Sequence, residues 1–322
     1  MPELPEVETV ARTLAPQVCG RSIVDITVLN AGTWQGGTAA DVLASLHPCI
    51  MGVSRRGKLL LLHFGEVGTH GEEAGQGGAF PEADIPAPTS AGQWPLHYTA
   101  QGIAPGRPAL VGRTPSESTA LAFHLRMTGR IFVYPKGTEP GKHTRIIFDL
   151  DDGRRLFFDD IRKFGQTRAL SGDELAAWEF WQGLGPEPLE LSPEAFAARF
   201  ASRRAVKALL LDQSVVAGVG NIYADESLFR AGIRPDARGC DIAPGKLELL
   251  HQALVEVLLL SIKECGSSIR DYRTARGDVG AFQNSFFVYG RAGEPCRVCG
   301  RKLASAKTAG RATVFCPHCQ KA

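Results

Sequence analysis

The chain has 322 residues, 44% of them hydrophobic, and a formal net charge of +2. That length suffices for two domains with cores of their own. No secretory leader is expected and no apolar run reaches the roughly 18 residues of a membrane span, so the expected location is the cytoplasm, with no membrane partner.

The chain opens Met1-Pro2-Glu3-Leu4-Pro5-Glu6-Val7-Glu8-Thr9. A proline directly after the initiator methionine permits removal of that methionine, which would leave a secondary amine followed at once by a carboxylate. A free α-amino group has a pKa of about 7.7–8.0, so a nucleophilic fraction exists near neutral pH. Such an amine forms an imine with a carbon at the carbonyl oxidation level, and Glu3 would shuttle the proton. The plainer reading is that Pro2 and Pro5 only start a helix. Val7, Val10, Ala11, Leu14 and Val18 repeat at helical spacing, predicting a helix from Pro5 to about Val18, disturbed by Pro16 and ended by Gly20.

Residues 22–29 alternate as a strand through Ile23, Val24, Ile26 and Val28, and residues 50–64 continue in β fashion around Arg55-Arg56-Gly57-Lys58. Residues 65–120 break the pattern: ten glycines, seven prolines and a net charge of −4 predict a disordered insertion without a DNA contact. Strands return at 121–134, 145–150 and 154–158, the last two joined at Asp151-Asp152-Gly153. Many short strands ahead of the later helices predict an antiparallel sandwich or barrel. Taken alone, Met127 reads as core, and Arg162 and Phe164 as a strand end.

Residues 171–201 read as two helical pieces broken by a linker or hinge at 183–188. Two short helices follow, 205–212 and 221–231, joined by a tight turn at Gly218-Val219-Gly220. Asn221 opens the second, where free N–H groups and the helix dipole favour a phosphate. An apolar helix spans 247–265, and a polar segment, 267–283, carries Arg270, Asp271, Tyr272, Arg273 and Arg276. Cys296-x2-Cys299 and Cys316-x2-Cys319, separated by sixteen residues, have the spacing of a four-thiolate zinc ribbon holding one structural zinc. Disulfides suit a cytoplasmic chain poorly. The other cysteines, 19, 49, 240 and 265, read as reduced thiols. From Cys296 onward there are six basic residues and no acid, which suits phosphate contact.

The opening Pro-Glu-Leu-Pro-Glu-Val-Glu-Thr run, Arg-Arg-Gly-Lys at 55–58, Val-Gly-Asn-Ile-Tyr-Ala-Asp-Glu at 219–226 and the cysteine pairs together resemble the bacterial formamidopyrimidine-DNA glycosylases. The resemblance covers nearly the whole chain except 65–120. It implies an α+β protein: an N-terminal antiparallel β-sandwich flanked by helices (1–170), a helical helix–two-turn–helix domain (171–285) and a C-terminal zinc ribbon (286–322). It implies a monomeric base-excision repair enzyme, glycosylase and abasic-site lyase, that removes oxidised purines from damaged double-stranded DNA through an imine at Pro2, followed by β,δ-elimination. Glu3 and Lys58 would complete the catalytic set. Met127, Arg162 and Phe164 would enter the helix when the damaged nucleotide is turned out, an extrusion that costs a few kcal/mol. Lys207, Asn221 and Arg311 would contact the DNA backbone, Glu226 would stand near the terminal proline or form a buried structural pair, and Arg270 takes a position where relatives carry lysine. Two rivals remain open. One is an endonuclease VIII-like enzyme for oxidised pyrimidines, disfavoured because Leu4 replaces its glycine. The other is a zinc-dependent DNA-binding protein that has lost catalysis.

Overall fold

The computed structural model describes residues 1–46, 49–65, 119–268 and 272–321. The proposed insertion at 65–120 and Arg270 fall almost wholly or wholly outside them. Helix α1 (Leu4–Val18) leads into strand β1 (Ile23–Val28). Then come β2 (Trp34–Gln35), α2 (Ala39–Ser45), and the hairpin β3 (Cys49–Arg56) and β4 (Leu59–Gly65). Strands β5 (Thr119–His124), β6 (Gly129–Tyr134), β7 (Thr144–Leu150), β8 (Arg155–Asp160) and β9 (Gln166–Ser171) follow. The strands form two sheets, ordered β1-β7-β8-β6 and β2-β9-β5-β4-β3. All pairings are antiparallel except the short β2–β9 contact.

Alternation decides which faces meet. Ile26, Ile146, Phe148, Leu156 and Phe158 of one sheet pack with Leu60, Leu62, Phe64, Leu121 and Phe123 of the other. The apolar face of α1, Val7, Val10, Ala11, Leu14 and Val18, closes one end of this core. Helix α1 runs through Pro16 rather than breaking there. Leu14 and Val18 are fully buried on either side of it, so packing holds the last turn despite the missing N–H. Val24 does not alternate inward. A register shift between Ile23 and Asp25 turns it to solvent. Strand β9, which the sequence reading left unassigned, lies between β5 and β2.

The second half is helical: α3 (Gly172–Ala177), α4 (Glu179–Gln182), α5 (Pro193–Ala198), α6 (Val206–Leu211), α7 (Asn221–Arg230) and α8 (Pro244–Lys263). Its core gathers Phe196, Phe200, Leu210, Tyr223, Leu228, Leu250, Leu254 and Phe282, and takes in Leu4 from α1. The ribbon strands β10 (Ala304–Thr308) and β11 (Arg311–Phe315) close the chain.

The glycine-proline stretch at 183–188, expected as a linker or hinge, is instead docked. The Gly57 N–H and Arg55 Nη1 donate to the same Glu187 oxygen at 2.6 and 2.5 Å, while Arg55 Nε donates to Glu8 at 2.9 Å. Gly185 has no room for a side chain, since a Cβ would stand 2.5 Å from the Ser214 carbonyl oxygen. Burial pushes the Glu8 carboxyl up, but Arg55 and Arg12 outweigh it and hold the group below its ordinary value. Removing one partner of a buried pair leaves an uncompensated charge. Glu187→Ala is therefore expected to lower the unfolding free energy by about 3 kcal/mol, read as a shift of the urea midpoint at unchanged slope.

Candidate active site

The site forms where the first residues of the chain meet the turn between α6 and α7. The Leu4 N–H donates to the Gly218 carbonyl at 3.0 Å. Gly218 has φ +92°, and a Cβ there would lie 2.7 Å from Leu4 Cδ1. A Cβ on Gly220 would lie 2.2 Å from Glu3 Cδ. The two glycines thus make the seat for Glu3 and Leu4. Seated there, the Glu3 carboxylate meets the N-terminus of α7, and its Oε1 accepts from the Ile222 N–H at 3.2 Å. Backbone donors and the dipole at a helix start favour a negative charge.

Glu3 is buried, and burial raises its carboxyl above the ordinary value. Lys58 and the Ile222 and Tyr223 N–H groups oppose that rise. Its second oxygen, Oε2, is buried with no hydrogen-bond partner among the described residues. Lys58 lies in the β3–β4 turn rather than within a strand, and its Nζ donates to the Val219 carbonyl at 2.8 Å. Burial lowers the Lys58 ammonium, the Glu3 charge raises it, and Arg311 lowers it again. Pro2, Glu3 and Lys58 therefore meet in one buried place, while Met1 is 46% exposed beside it.

Glu6 is a member of this site that the sequence reading missed. It accepts from the Glu3 N–H at 2.9 Å, the Tyr223 hydroxyl at 2.5 Å and the Ser267 N–H at 2.9 Å. Its place one helical turn after Glu3 was the available signal. Glu226, expected near the terminal proline or in a buried structural pair, is fully buried. It accepts from the N–H groups of Phe287, Val288 and Tyr289 and so secures the approach to the ribbon.

Met127, Arg162 and Phe164 come together on two turns, β5–β6 and β8–β9. Met127 and Phe164 are 40% and 51% exposed. Arg162 Nη1 lies 2.7 Å from the Met127 sulfur, and its guanidinium stands 4.7 Å from the Phe164 ring centre. Asp160 shapes this cluster: it accepts from the Thr128 hydroxyl and from the N–H groups of Arg162 at 3.1 Å and Gly165 at 2.7 Å. Lys163 takes φ +60° between them, a conformation uncommon for a residue with a side chain.

Lys207 does not match its expected phosphate contact. It is fully buried, and its ammonium has three acceptors for its three donors: Asp225 at 2.6 Å, Thr313 Oγ1 at 2.8 Å and the Ala312 carbonyl at 3.1 Å. Asn221 Nδ2 donates to the same Ala312 carbonyl at 3.0 Å, and the Val314 N–H donates to Asp225 at 3.2 Å. These bonds bolt β11 to α6 and α7. They hold Arg311, which is exposed beyond the Ala309-Gly310 turn, close enough for Lys58 to feel its charge.

The four ribbon cysteines fit zinc. Their sulfurs all lie within 4.8 Å of one another, with Cys296–Cys319 at 3.9 Å and Cys299–Cys316 at 3.5 Å. A tetrahedron with Zn–S bonds of about 2.3 Å needs sulfurs roughly 3.8 Å apart. Gln320 ties this knuckle to the helical core, accepting from the Cys316 N–H at 2.8 Å and donating to the Ile233 carbonyl at 2.8 Å.

Burial, then the charge of Glu3, pushes the Glu6 carboxyl from 4.5 up to about 7. The folded state thus binds this proton more tightly than the unfolded one. The contribution of Glu6 to stability is full below pH 4.5 and is lost as pH rises, by about 3 kcal/mol once pH 7 is passed. Glu6→Gln is expected to flatten that part of the profile, measured as urea midpoints from pH 4.5 to 8.

Three family domains match in order: the formamidopyrimidine-DNA glycosylase N-terminal domain over residues 1–167, the formamidopyrimidine-DNA glycosylase H2TH domain over 184–273, and the zinc finger found in FPG and IleRS over 293–322. The chain is 50% identical to the formamidopyrimidine-DNA glycosylase of Nitratidesulfovibrio vulgaris (strain Hildenborough) and 36% identical to that of Geobacillus kaustophilus, each with 100% of both chains covered. Among solved structures it is 30% identical to the wild-type Lactococcus lactis Fpg in complex with DNA containing N7-benzyl-Fapy-dG, with 100% of both chains covered and a TM-score of 0.78. Another complex of the Lactococcus lactis Fpg, with DNA containing an abasic site, aligns at a TM-score of 0.76 and 30% identity, over 99% of this chain and 100% of that one. The chain belongs to the formamidopyrimidine-DNA glycosylase family, base-excision repair enzymes that combine DNA glycosylase and abasic-site lyase activities and carry a zinc finger.

Proposed function

We propose that Pro2, freed of Met1, is the nucleophile by which this chain removes oxidised purines, 8-oxoguanine and formamidopyrimidines, from damaged duplex DNA. The observation that carries the reading is the buried Glu3 carboxylate, held against the start of α7 next to Pro2, with one oxygen left without a partner. That oxygen takes the proton that the Pro2 nitrogen releases as it attacks C1′ and passes it to the ring oxygen of the opening sugar. Lys58 steadies the negative charge from the opposite side. The base leaves, the imine lowers the barrier to successive β- and δ-elimination, and a one-nucleotide gap with phosphate at both ends results.

Met127, Arg162 and Phe164 suit the space vacated by an extruded nucleotide. The ring wedges the step, the thioether fills the void, and the arginine donates to the orphaned base. Arg311 and the α7 start at Asn221 suit backbone phosphates. Lys207 serves this contact by holding β11 in place. We divide the chain at about residues 170 and 285 into sandwich, helical and ribbon units. We propose that it acts as a monomer. Among the described residues no helix is long and apolar enough to cross a membrane, which agrees with a place in the bacterial cytoplasm.

Borohydride trapping on duplex DNA with one 8-oxoguanine opposite cytosine is expected to give a covalent product whose crosslink maps to Pro2. Pro2→Gly is expected to cut the rate of trapping by about 100-fold or more, within the range assigned to positioned catalytic groups. Undiminished trapping would remove Pro2 from the mechanism. Cys299→Ser is expected to release zinc and to weaken lesion-duplex binding by at least about tenfold, because the ribbon loses the ligand set that holds Arg311. Metal analysis and fluorescence anisotropy on the same preparation check both effects.

A further inference from the structure

A second cleft, of about 550 Å³, opens away from the proposed catalytic residues. One wall is strand β6, which among the described residues pairs on one side only, with β8. Arg130, Phe132 and Tyr134 stand two residues apart on it and so share a face, the one opposite the buried Ile131. The other wall is the segment after α8, which brings Arg273 and Arg276. Gln17 closes the end, and its amide bonds to the Ala275 carbonyl at 3.4 Å. Gln17 is thirteen residues beyond Leu4 along α1, which puts this cleft about 20 Å from the seat of Glu3.

The charge of the cleft is one-sided. No acid lines it. Asp159 lies opposite Arg130 in the β6–β8 register, and Asp278 is engaged with Thr274, its carboxylate accepting from the Thr274 hydroxyl at 3.3 Å and its N–H donating to the Thr274 Oγ1 at 3.1 Å. Neither Arg273 nor Arg276 is ion-paired with an acid among the described residues. The Phe132 and Tyr134 rings stand edge to face at 6.0 Å, a partly buried aromatic surface beside these guanidinium groups. Flat rings accept a nucleobase in a stack, and guanidinium groups grip phosphate oxygens. The volume falls within the range of pockets that hold small ligands.

We propose that the cleft between β6 and residues 273–277 is a second binding site for a nucleotide unit, its base against Phe132 and Tyr134 and its phosphate on Arg273 and Arg276. The site does not depend on Pro2 being the nucleophile. The same chemistry is offered by a free nucleotide and by a nucleotide within a single strand, and the test separates the two. Zinc-loaded full-length protein is irradiated with 8-azido-dAMP or with a twelve-residue oligothymidine carrying one 5-iodouracil, and the labelled peptides are mapped.

Labelling of residues 130–134 by the azidonucleotide, competed by dAMP but not by a short lesion duplex, supports a site for free nucleotides. Labelling by the oligonucleotide alone supports a strand-binding site. In either case Phe132→Ala combined with Arg276→Glu is expected to reduce labelling at least about tenfold, with glycosylase turnover on a short duplex unchanged. The exposed substitution Arg276→Glu alone gives a smaller loss in a protein whose fold is not at issue. Absence of label in 130–134 with both probes, label indifferent to these substitutions, or label abolished by the short lesion duplex overturns the proposal.

Discussion

The structure depends on how Glu3 and Leu4 sit in the Gly218-Val219-Gly220 turn. Leu4 enters the helical core, its N–H is bonded to the Gly218 carbonyl, and the Glu3 carboxylate rests on the first N–H groups of α7. Chain ends are commonly loose unless tied down. Here the tie is made of backbone, and both glycines are needed because any side chain would displace Leu4 or Glu3. One contact thus joins the sandwich to the helical half and places a carboxylate beside Pro2.

Burial sets the electrostatics of this place. Glu3, Glu6 and Lys58 all lose water, so each is pushed toward its neutral form, and each is partly returned by its neighbours. Burial first, and then the charge of Glu3, raises the Glu6 carboxyl to about 7. Carboxyls held above their ordinary values can both accept and supply a proton near neutral pH, which suits a reaction that opens a sugar and then eliminates twice.

The ribbon is fixed by similar means. Lys207, Asp225 and Asn221 spend their hydrogen bonds on the backbone and Thr313 of β11, and Gln320 spends its own on Ile233 and the cysteine knuckle. The zinc ligands hold the hairpin's shape, and these polar bolts hold its position. Arg311 can be presented near Lys58 only when both hold.

Periodicity and spacing determined most of the elements, the place of the zinc ligands and the turn before Asn221, because these are local properties of neighbouring residues. The motifs at 2–9, 55–58 and 219–226 also marked the family, since each residue type has a chemical task at its position. Tertiary structure alone decided the rest. It turned Lys207 from a surface cation into a buried bolt and moved Glu226 from the terminal proline to the ribbon approach. It docked the 183–188 stretch through Glu187 and added Glu6 to the site. The physical reason is common to all four. A charged side chain looks the same in a sequence whether it faces water or a buried partner, and its partners here lie between 18 and 261 positions away along the chain. Which charges meet is settled only when the sheets, helices and ribbon pack.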